Sequence, residues 1–218
     1  MMPSDSVNIL TQEPSVASQF ISELRNVEVQ QDSMRFRRNL ERLGEIMAYK
    51  ISTQLTYAPQ QIQTPLAICE QQLLVDYPIL ATVLRAGLPF HQGFLNYFDK
   101  SPSAFVAAYR IEATSEIAVN VEYLVAPSLE GRVLLLVDPM LATGTSLALT
   151  YKAMLRFGTP SQVHIAAAIA SPEGVNHIRQ QLPHARLWLG ALDDHLNDRS
   201  YIVPGLGDAG DLSFGSKI

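Results

Sequence analysis

Val133-Leu-Leu-Leu-Val-Asp138-Pro-Met-Leu-Ala142-Thr143-Gly144-Thr145-Ser146 decides the fold. Five consecutive aliphatic residues run into one carboxylate, and a small polar loop then opens a helix. A run that apolar is too short for a membrane helix and suits a strand buried on both faces of a parallel sheet. Small ligands of open α/β sheets bind outside the carboxyl ends of the strands, which is where Asp138 falls. Behind it, Thr143, Gly144, Thr145 and Ser146 supply backbone N–H groups and hydroxyls at a helix N-terminus, a ready site for an anion. The segment therefore reads as a grip for a ribose and its phosphate.

Working outward, the strand over 133–137 is followed by a helix on which Leu147, Tyr151, Met154 and Leu155 share a face. Gly158 is a natural C′ residue, and Pro160 forbids continuation. A strand over 163–170 follows. Ser171-Pro172 then reads as N-cap and first position of a helix carrying Val175, Ile178 and Leu182. A strand over 186–192 closes a β-α-β-α-β unit, the pattern of a parallel sheet with right-handed crossovers. Upstream, 78–84 predicts a strand with Arg85-Ala86-Gly87 as the loop after it, then a helix over 89–98 and a strand over 104–108. A long amphipathic helix runs over 33–55, where Phe36, Leu40, Leu43, Met47 and Ile51 recur at spacings of three and four. Asp32 or Ser33 is its N-cap. A weaker helical pattern covers 16–24, and 1–14 reads as a loose arm ending at Pro14. The stretch 109–128 carries several acidic residues and little period, and reads as a protruding hairpin or flap.

The chain has 218 residues, 47% of them hydrophobic and 17% charged, which fits a globular protein with a sizeable core. No internal repeat or low-complexity linker appears, so a single domain over 1–218 is the economical reading. The longest apolar runs are far below the ~20 residues needed to span a bilayer. The opening residues lack both a basic region and an apolar region, which argues against a secretory leader. A lone cysteine, Cys69, permits no internal disulfide and suits a reducing cytoplasm. A formal charge of −5 argues against broad nucleic-acid binding, which needs a basic face.

The loop 138–146 lacks the lysine of a G-x-x-x-x-G-K-[ST] P-loop and has no G-x-G-x-x-G, so neither triphosphate hydrolysis nor a dinucleotide site is indicated. A carboxylate ahead of a Thr/Gly/Ser loop suits a sugar phosphate better, and at this point the chain resembles a type I phosphoribosyltransferase. A second constellation is Tyr201-Ile-Val-Pro204-Gly205-Leu-Gly207-Asp208-Ala209-Gly210-Asp211, too turn-rich for a helix or a long strand. It resembles the uracil-binding signature of uracil phosphoribosyltransferases. Leu84-Arg85-Ala86-Gly87 and Val137–Gly144 agree with the same family, in the same order, and the similarity runs with interruptions from about Arg25 to Lys217.

That resemblance implies an α/β, type I phosphoribosyltransferase fold: a central parallel sheet flanked by helices, a flap over 109–128 and a C-terminal hood over 193–218. It implies the reaction of uracil with phosphoribosyl pyrophosphate, giving UMP and pyrophosphate, assisted by Mg²⁺. Phosphoribosyl pyrophosphate would be held by Arg85, Ala86, Gly87, Arg110, Asp138, Ala142, Thr143, Gly144, Thr145, Ser146 and Asp208. Arg85 and Asp138 would carry the catalytic roles, Arg85 by stabilising charge on the leaving group. Uracil would be met by Tyr201, Ile202, Gly207, Asp208 and Ala209. Mg²⁺ would be held mainly by substrate oxygens and waters, with no direct protein ligand and with Asp211 as an anchor for those waters. The family also implies a homodimer or higher homo-oligomer. A weakly catalytic paralogue, or a regulator that binds the same ligands, is the alternative.

The chain departs from the family pattern in places. Thr145 follows Gly144 where Gly-Gly is usual, and Leu212 follows Asp211 where a basic residue is common. The flap keeps Tyr109, Arg110, Glu112, Thr114 and Glu116, but has Ile117, then Asn120 for an aromatic and Tyr123 for lysine. Arg25-Asn26-Val27 and Tyr49-Lys50 replace a charged run and a Tyr-Glu pair. Elsewhere, His91, His164, His177, His184 and His195 have no metal-ligand spacing. His164 and Trp188 read as structural, Cys69 as packed or facing a partner, and Asp193-Asp194 as a solvated turn. Arg35, Arg37 and Arg38 read as a solvated helix face.

Overall fold

The computed structural model describes residues 7–111 and 118–216. The first half contains β1 (Val7–Ile9), α1 (Val16–Arg25), α2 (Ser33–Ser52), β2 (Tyr57–Gln63), β3 (Ile68–Leu74), β4 (Ile79–Leu84) and α3 (Leu88–Tyr97). There follow β5 (Ser103–Ile111), β6 (Ala118–Val125), β7 (Val133–Val137), β8 (Met140–Leu141), α4 (Thr145–Met154), β9 (Gln162–Ala170) and α5 (Pro172–Gln181). The chain finishes with β10 (Arg186–Leu192), β11 (His195–Leu196), β12 (Ile202–Val203) and α6 (Ala209–Phe214).

The main sheet has the order β1-β10-β9-β7-β4-β5-β6, with β8 paired to β9. Its neighbours are parallel throughout, except for antiparallel β5 and β6. β7 lies between β4 and β9, and Leu134 through Val137 are fully buried. Leu135 and Val137 join a core with Leu40, Leu43 and Met47 of α2 and Phe90 of α3. Leu134 and Leu136 point the other way, into a core with Leu147 and Met154 of α4 and Ile178 of α5. Helices on both faces are thus the reason the run is aliphatic at every position; a strand with one wet face would alternate.

The caps follow the local chemistry. Asp32 opens α2 by accepting from the N–H groups of Met34 and Arg35, each at 3.0 Å. Ser171 opens α5 ahead of Pro172, accepting from Gly174 N–H at 3.0 Å. Glu23 of α1 accepts from Arg35 Nε and Nη2, both at 2.8 Å, and from Asn39 Nδ2 at 2.7 Å. These bonds, led by Arg35, hold its carboxyl down to about 2 and tie α1 to α2.

Several expectations need correction. Residues 7–9 of the supposed loose arm form β1, an edge strand on β10 with Val7 opposite Leu187. The stretch 57–74 forms an antiparallel ribbon, β2 with β3, separate from the main sheet and not foreseen. The hairpin of the flap exists, but it is rooted in the main sheet, and Leu124 packs into the core. Glu112, Thr114, Glu116 and Ile117 lie outside the described residues. The C-terminal segment is turn-rich only as far as Asp208, where α6 begins. Cys69 is exposed on the ribbon and so is not packed within this chain, which leaves the partner-facing reading of it standing. Asp193 is buried at 6% exposure, because Arg25 and the Gly205 N–H pair with it.

Candidate active site

Three loops meet at the carboxyl ends of the central strands and enclose a cavity of about 590 Å³. Its wall is formed by residues 83–86, by Asp138 with 140–144 and 146–147, and by 199–201 with 207–210.

The first loop leaves β4. Thr82 is fully buried, and its hydroxyl donates to Val137 O at 3.0 Å, locking the end of β4 to the end of β7. The Leu84–Arg85 peptide is cis. Gly87 closes the loop, and a Cβ there would stand 1.9 Å from Thr82 Oγ1 and 2.7 Å from Val83 O, so only glycine fits. Gly87 itself lies outside the cavity wall. Arg85 Nη2 donates to Asp211 Oδ1 at 3.2 Å and to Gly215 O at 3.3 Å, spanning from the first loop to the C-terminal segment.

The second loop leaves β7. Asp138 N–H donates to Ala166 O at 3.1 Å, and Asp138 Oδ1 accepts from Met140 N–H at 3.2 Å. The chain then makes β8, a short return to β9 within what the sequence offered as plain loop. Ser171 Oγ donates to Ala142 O at 2.7 Å, and Ser171 N–H donates to Leu141 O at 3.0 Å. Gly144, with φ of 76°, turns the chain into α4 without a side-chain cap. The first N–H groups of a helix have no intrahelical acceptor, and here Ser146 and Leu147 of that first turn face the cavity. Thr145 is the first residue of α4 and is absent from the wall; its N–H donates to Thr143 Oγ1 at 3.4 Å.

The third wall is the hood. β11 and β12 pair antiparallel, and Asn197 Oδ1 accepts from Arg199 N–H and Tyr201 N–H, each at 3.0 Å, to tighten the turn between them. Tyr201 lines the cavity, whereas Ile202 is 4% exposed and packs inward. Asp208 lines the cavity and caps α6, accepting from Gly210 N–H at 2.8 Å and Asp211 N–H at 3.0 Å. Arg37 Nη1 donates to Ser213 O at 2.7 Å, so part of the supposed solvated face of α2 holds the hood down.

The structure thus gathers Arg85, Ala86, Asp138, Ala142, Thr143, Gly144, Ser146, Tyr201, Gly207, Asp208 and Ala209 around one space. Arg110 lies in β5 opposite Val119, and its side chain is outside the described residues. Sequence reasoning passed over Arg199, an exposed guanidinium in the wall next to Tyr201. Ser171 reads from sequence only as a cap, and Asp193 only as part of a solvated turn; the structure adds the bond from Ser171 to Ala142 O and the pairing of Asp193 with Arg25.

Oxygen donors at the cavity are the carboxylates of Asp138 and Asp208, with Asp211 engaged by Arg85 just behind. Among the described residues no group of three or more His, Cys, Asp or Glu is placed to hold a metal ion. A hard cation carried on phosphate oxygens, needing one or two carboxylates at most, fits that donor set. His91 and His164 are buried, and burial lowers both to about 4. Trp188 Nε1 donates to His164 Nδ1 at 3.1 Å, so that histidine is neutral and structural.

Comparison with known proteins gives one answer. The family model described as uracil phosphoribosyltransferase matches residues 10–216. The chain is 48% identical to the uracil phosphoribosyltransferase of Porphyromonas gingivalis over 208 residues, covering 94% of this chain and 96% of that one. It is 32% identical to that of Pyrococcus furiosus over 203 residues, covering 92% and 86%. Among solved structures, the AQ2163 protein from Aquifex aeolicus superposes with a TM-score of 0.87 at 28% identity, covering 97% of this chain and 99% of that one.

Proposed function

The chain belongs to the uracil phosphoribosyltransferase family, and from that premise we propose how its residues carry the reaction of uracil with phosphoribosyl pyrophosphate. The protein is a phosphoribosyltransferase that forms UMP and pyrophosphate; the weakly catalytic alternative is not favoured. The observation that carries the residue assignments is the convergence of three loops on one cavity.

The 5-phosphate takes N–H groups and hydroxyls of 142–144 and Ser146 at the start of α4, where the helix end favours an anion; Thr145, outside the wall, is not among them. Asp138, at the end of β7, accepts from the ribose hydroxyls. The pyrophosphate lies toward Arg85 and Ala86, in the loop that Gly87 closes. As the C1–O bond breaks, the electron pair leaves with pyrophosphate and positive charge develops on the ribose. Arg85 is suited to the charge gathering on the leaving group, and Asp138 lies close to the cationic sugar. Uracil N1 then bonds to C1, and its proton is released. Little side-chain acid–base chemistry is needed. A bound Mg²⁺ would supply charge neutralisation at the pyrophosphate oxygens, and Asp211, paired with Arg85, would anchor its waters.

Base choice follows from the hood. Uracil offers C4=O and N3–H, whereas cytosine offers C4–NH₂ and a bare N3. A backbone edge from Tyr201, Gly207 and Ala209, with Asp208 beside it, pairs with the first set; Ile202 packs behind it. It leaves groups unmatched against the second, at about 1–3 kcal/mol each.

A homo-oligomer is part of the same reading. The β2–β3 ribbon stands clear of the main sheet with Ile62, Leu66 and Ile68 exposed, and a two-stranded ribbon is marginal alone. A second copy of the chain is the natural cover. Among the described residues no helix is long and apolar enough to cross a membrane; cytoplasmic residence rests on the lone cysteine.

The test is conversion of radiolabelled uracil by purified protein at millimolar Mg²⁺ and saturating phosphoribosyl pyrophosphate. UMP is expected; its absence would sink the enzyme reading. Asp138→Asn is expected to lower kcat/KM about 10- to 100-fold, the loss of a charged acceptor worth roughly 1.5–3 kcal/mol.

A further inference from the structure

One buried carboxylate behind the base-side wall takes no part in the roles above. Asp193 directly follows β10, and its N–H donates to Ala170 O at 2.8 Å. Its Oδ2 accepts from Gly205 N–H at 2.9 Å and from Arg25 Nη1 at 2.8 Å, while Arg25 Nη2 reaches Oδ1. Arg25 Nη1 also donates to Gly205 O at 3.0 Å. One ion pair therefore holds both backbone polar groups of Gly205. Arg25 closes α1, and its own carbonyl accepts from Gln30 Nε2 at 3.0 Å. Gln30 is 7% exposed, and its Oε1 stands 4.0 Å from where a Cβ on Gly207 would be.

Gly205 lies between β12 and the 207–210 stretch that lines the cavity. A recognition edge made of backbone groups discriminates only while its peptides cannot rotate to offer the opposite polarity. Gly205 and Gly207, with φ of 66° and 92°, are where this segment could rotate most freely. A support that removes that freedom gives the edge its precision. We propose that Asp193 and Arg25 are positioning residues: a clamp that fixes the path of 201–211 and thereby sets uracil affinity and selectivity. This rests on reading that segment as the base site. A buried carboxylate deprived of its guanidinium is strongly unfavourable, so the pair acts as a unit.

The test is steady-state kinetics of Asp193→Asn and Arg25→Lys against wild type, with each substrate varied in turn. In Asp193→Asn an amide N–H must face another donor, and the KM for uracil is expected to rise roughly tenfold. Arg25→Lys keeps the charge but loses the fork, and a rise of about threefold is expected. In both, the KM for phosphoribosyl pyrophosphate should stay within about twofold of wild type, with preference for uracil over cytosine reduced. Equal rises in both KM values, or an unchanged uracil KM in a folded variant, would overturn the proposal. Hydrogen exchange supplies a second readout: amides of 202–211 should exchange faster in Arg25→Lys, and those of 142–147 should not. A wild-type protein that formed no UMP would defeat the activity reading and leave exchange to judge the clamp. Equal exchange rates would then refute it, as they would if Asp193→Asn failed to fold.

Discussion

His164 and Trp188 show how one residue can set a pH dependence. Burial lowers His164 to about 4, against an ordinary value near 6.5, and the neutral ring accepts from Trp188 Nε1. Between those two values the unfolded chain binds more protons than the folded one. Stability is therefore complete above pH 6.5 and falls as pH drops toward 4, by up to about 3 kcal/mol from this group. His91, buried in α3, adds a loss of the same sign over the same window. The single tryptophan reports on this directly. In His164→Gln the amide oxygen can still accept from Trp188, and the fall in denaturation midpoint between pH 7 and 5, followed by fluorescence, should become shallower. An identical slope in both proteins would show the histidine to be irrelevant. Residues of this scale divide by how local their signal is. Asp138 and Arg85 were legible because each ends a readable strand. Asp193 was not, since its burial depends on Arg25, 168 residues away, and nothing beside it in the chain announces that partner.

At the scale of elements, Ser171 joins two of them. Its hydroxyl accepts from Gly174 N–H to cap α5 and donates to Ala142 O in the cavity loop after β7. Ser171→Ala should cost about 1–2 kcal/mol in chemical denaturation, the loss of a cap and of a buried partner for a carbonyl. It should also raise the KM for phosphoribosyl pyrophosphate several-fold while moving that for uracil little, which separates it from the Asp193 variants. Ser171 was legible as a cap but not as a support for the loop, because β8 brings Ala142 to it only in three dimensions. The same contrast holds for whole elements. β7, β9, β10, α4 and α5 were readable because burial on both faces leaves an unbroken apolar run and burial along one helical stripe imposes a period. The β2–β3 ribbon has nearly every residue wet, as in Tyr57-Ala-Pro-Gln-Gln-Ile-Gln63, so no period exists to read. β1 and α6, of three and six residues, are too short to carry one.

At the scale of the whole molecule, the exposed ribbon makes association the expected state. Wild-type protein should sediment as a multiple of its 24.1 kDa chain mass. Charging the ribbon with Ile62→Lys and Ile68→Lys should shift it to monomer without disturbing the main sheet, as circular dichroism would show. A monomeric wild type, or an unchanged mass in the doubly charged variant, would remove the ribbon from the interface. The overall architecture, and the loops after β4 and β7 and over 201–211 that meet at one cavity, were legible from sequence, since ligand sites sit at strand ends that any parallel sheet provides. The sheet's margins were not, because strand order is decided by pairing between distant segments.

Those margins carry one more consequence. β1 pairs with β10, and Arg25 at the end of α1 pairs with Asp193 just beyond β10. Segments made early therefore find their partners among segments made well over a hundred residues later: Arg25 and Asp193 are 168 residues apart. While synthesis proceeds, the growing chain can assemble β4, β5 and β7 with their helices, yet β1 lacks its neighbour and Arg25 its carboxylate until β10 and Asp193 have emerged. The wall formed by 199–201 and 207–210 is then set in place after the other two, and a product that stops before β10 lacks that whole side of the cavity rather than a fraction of it.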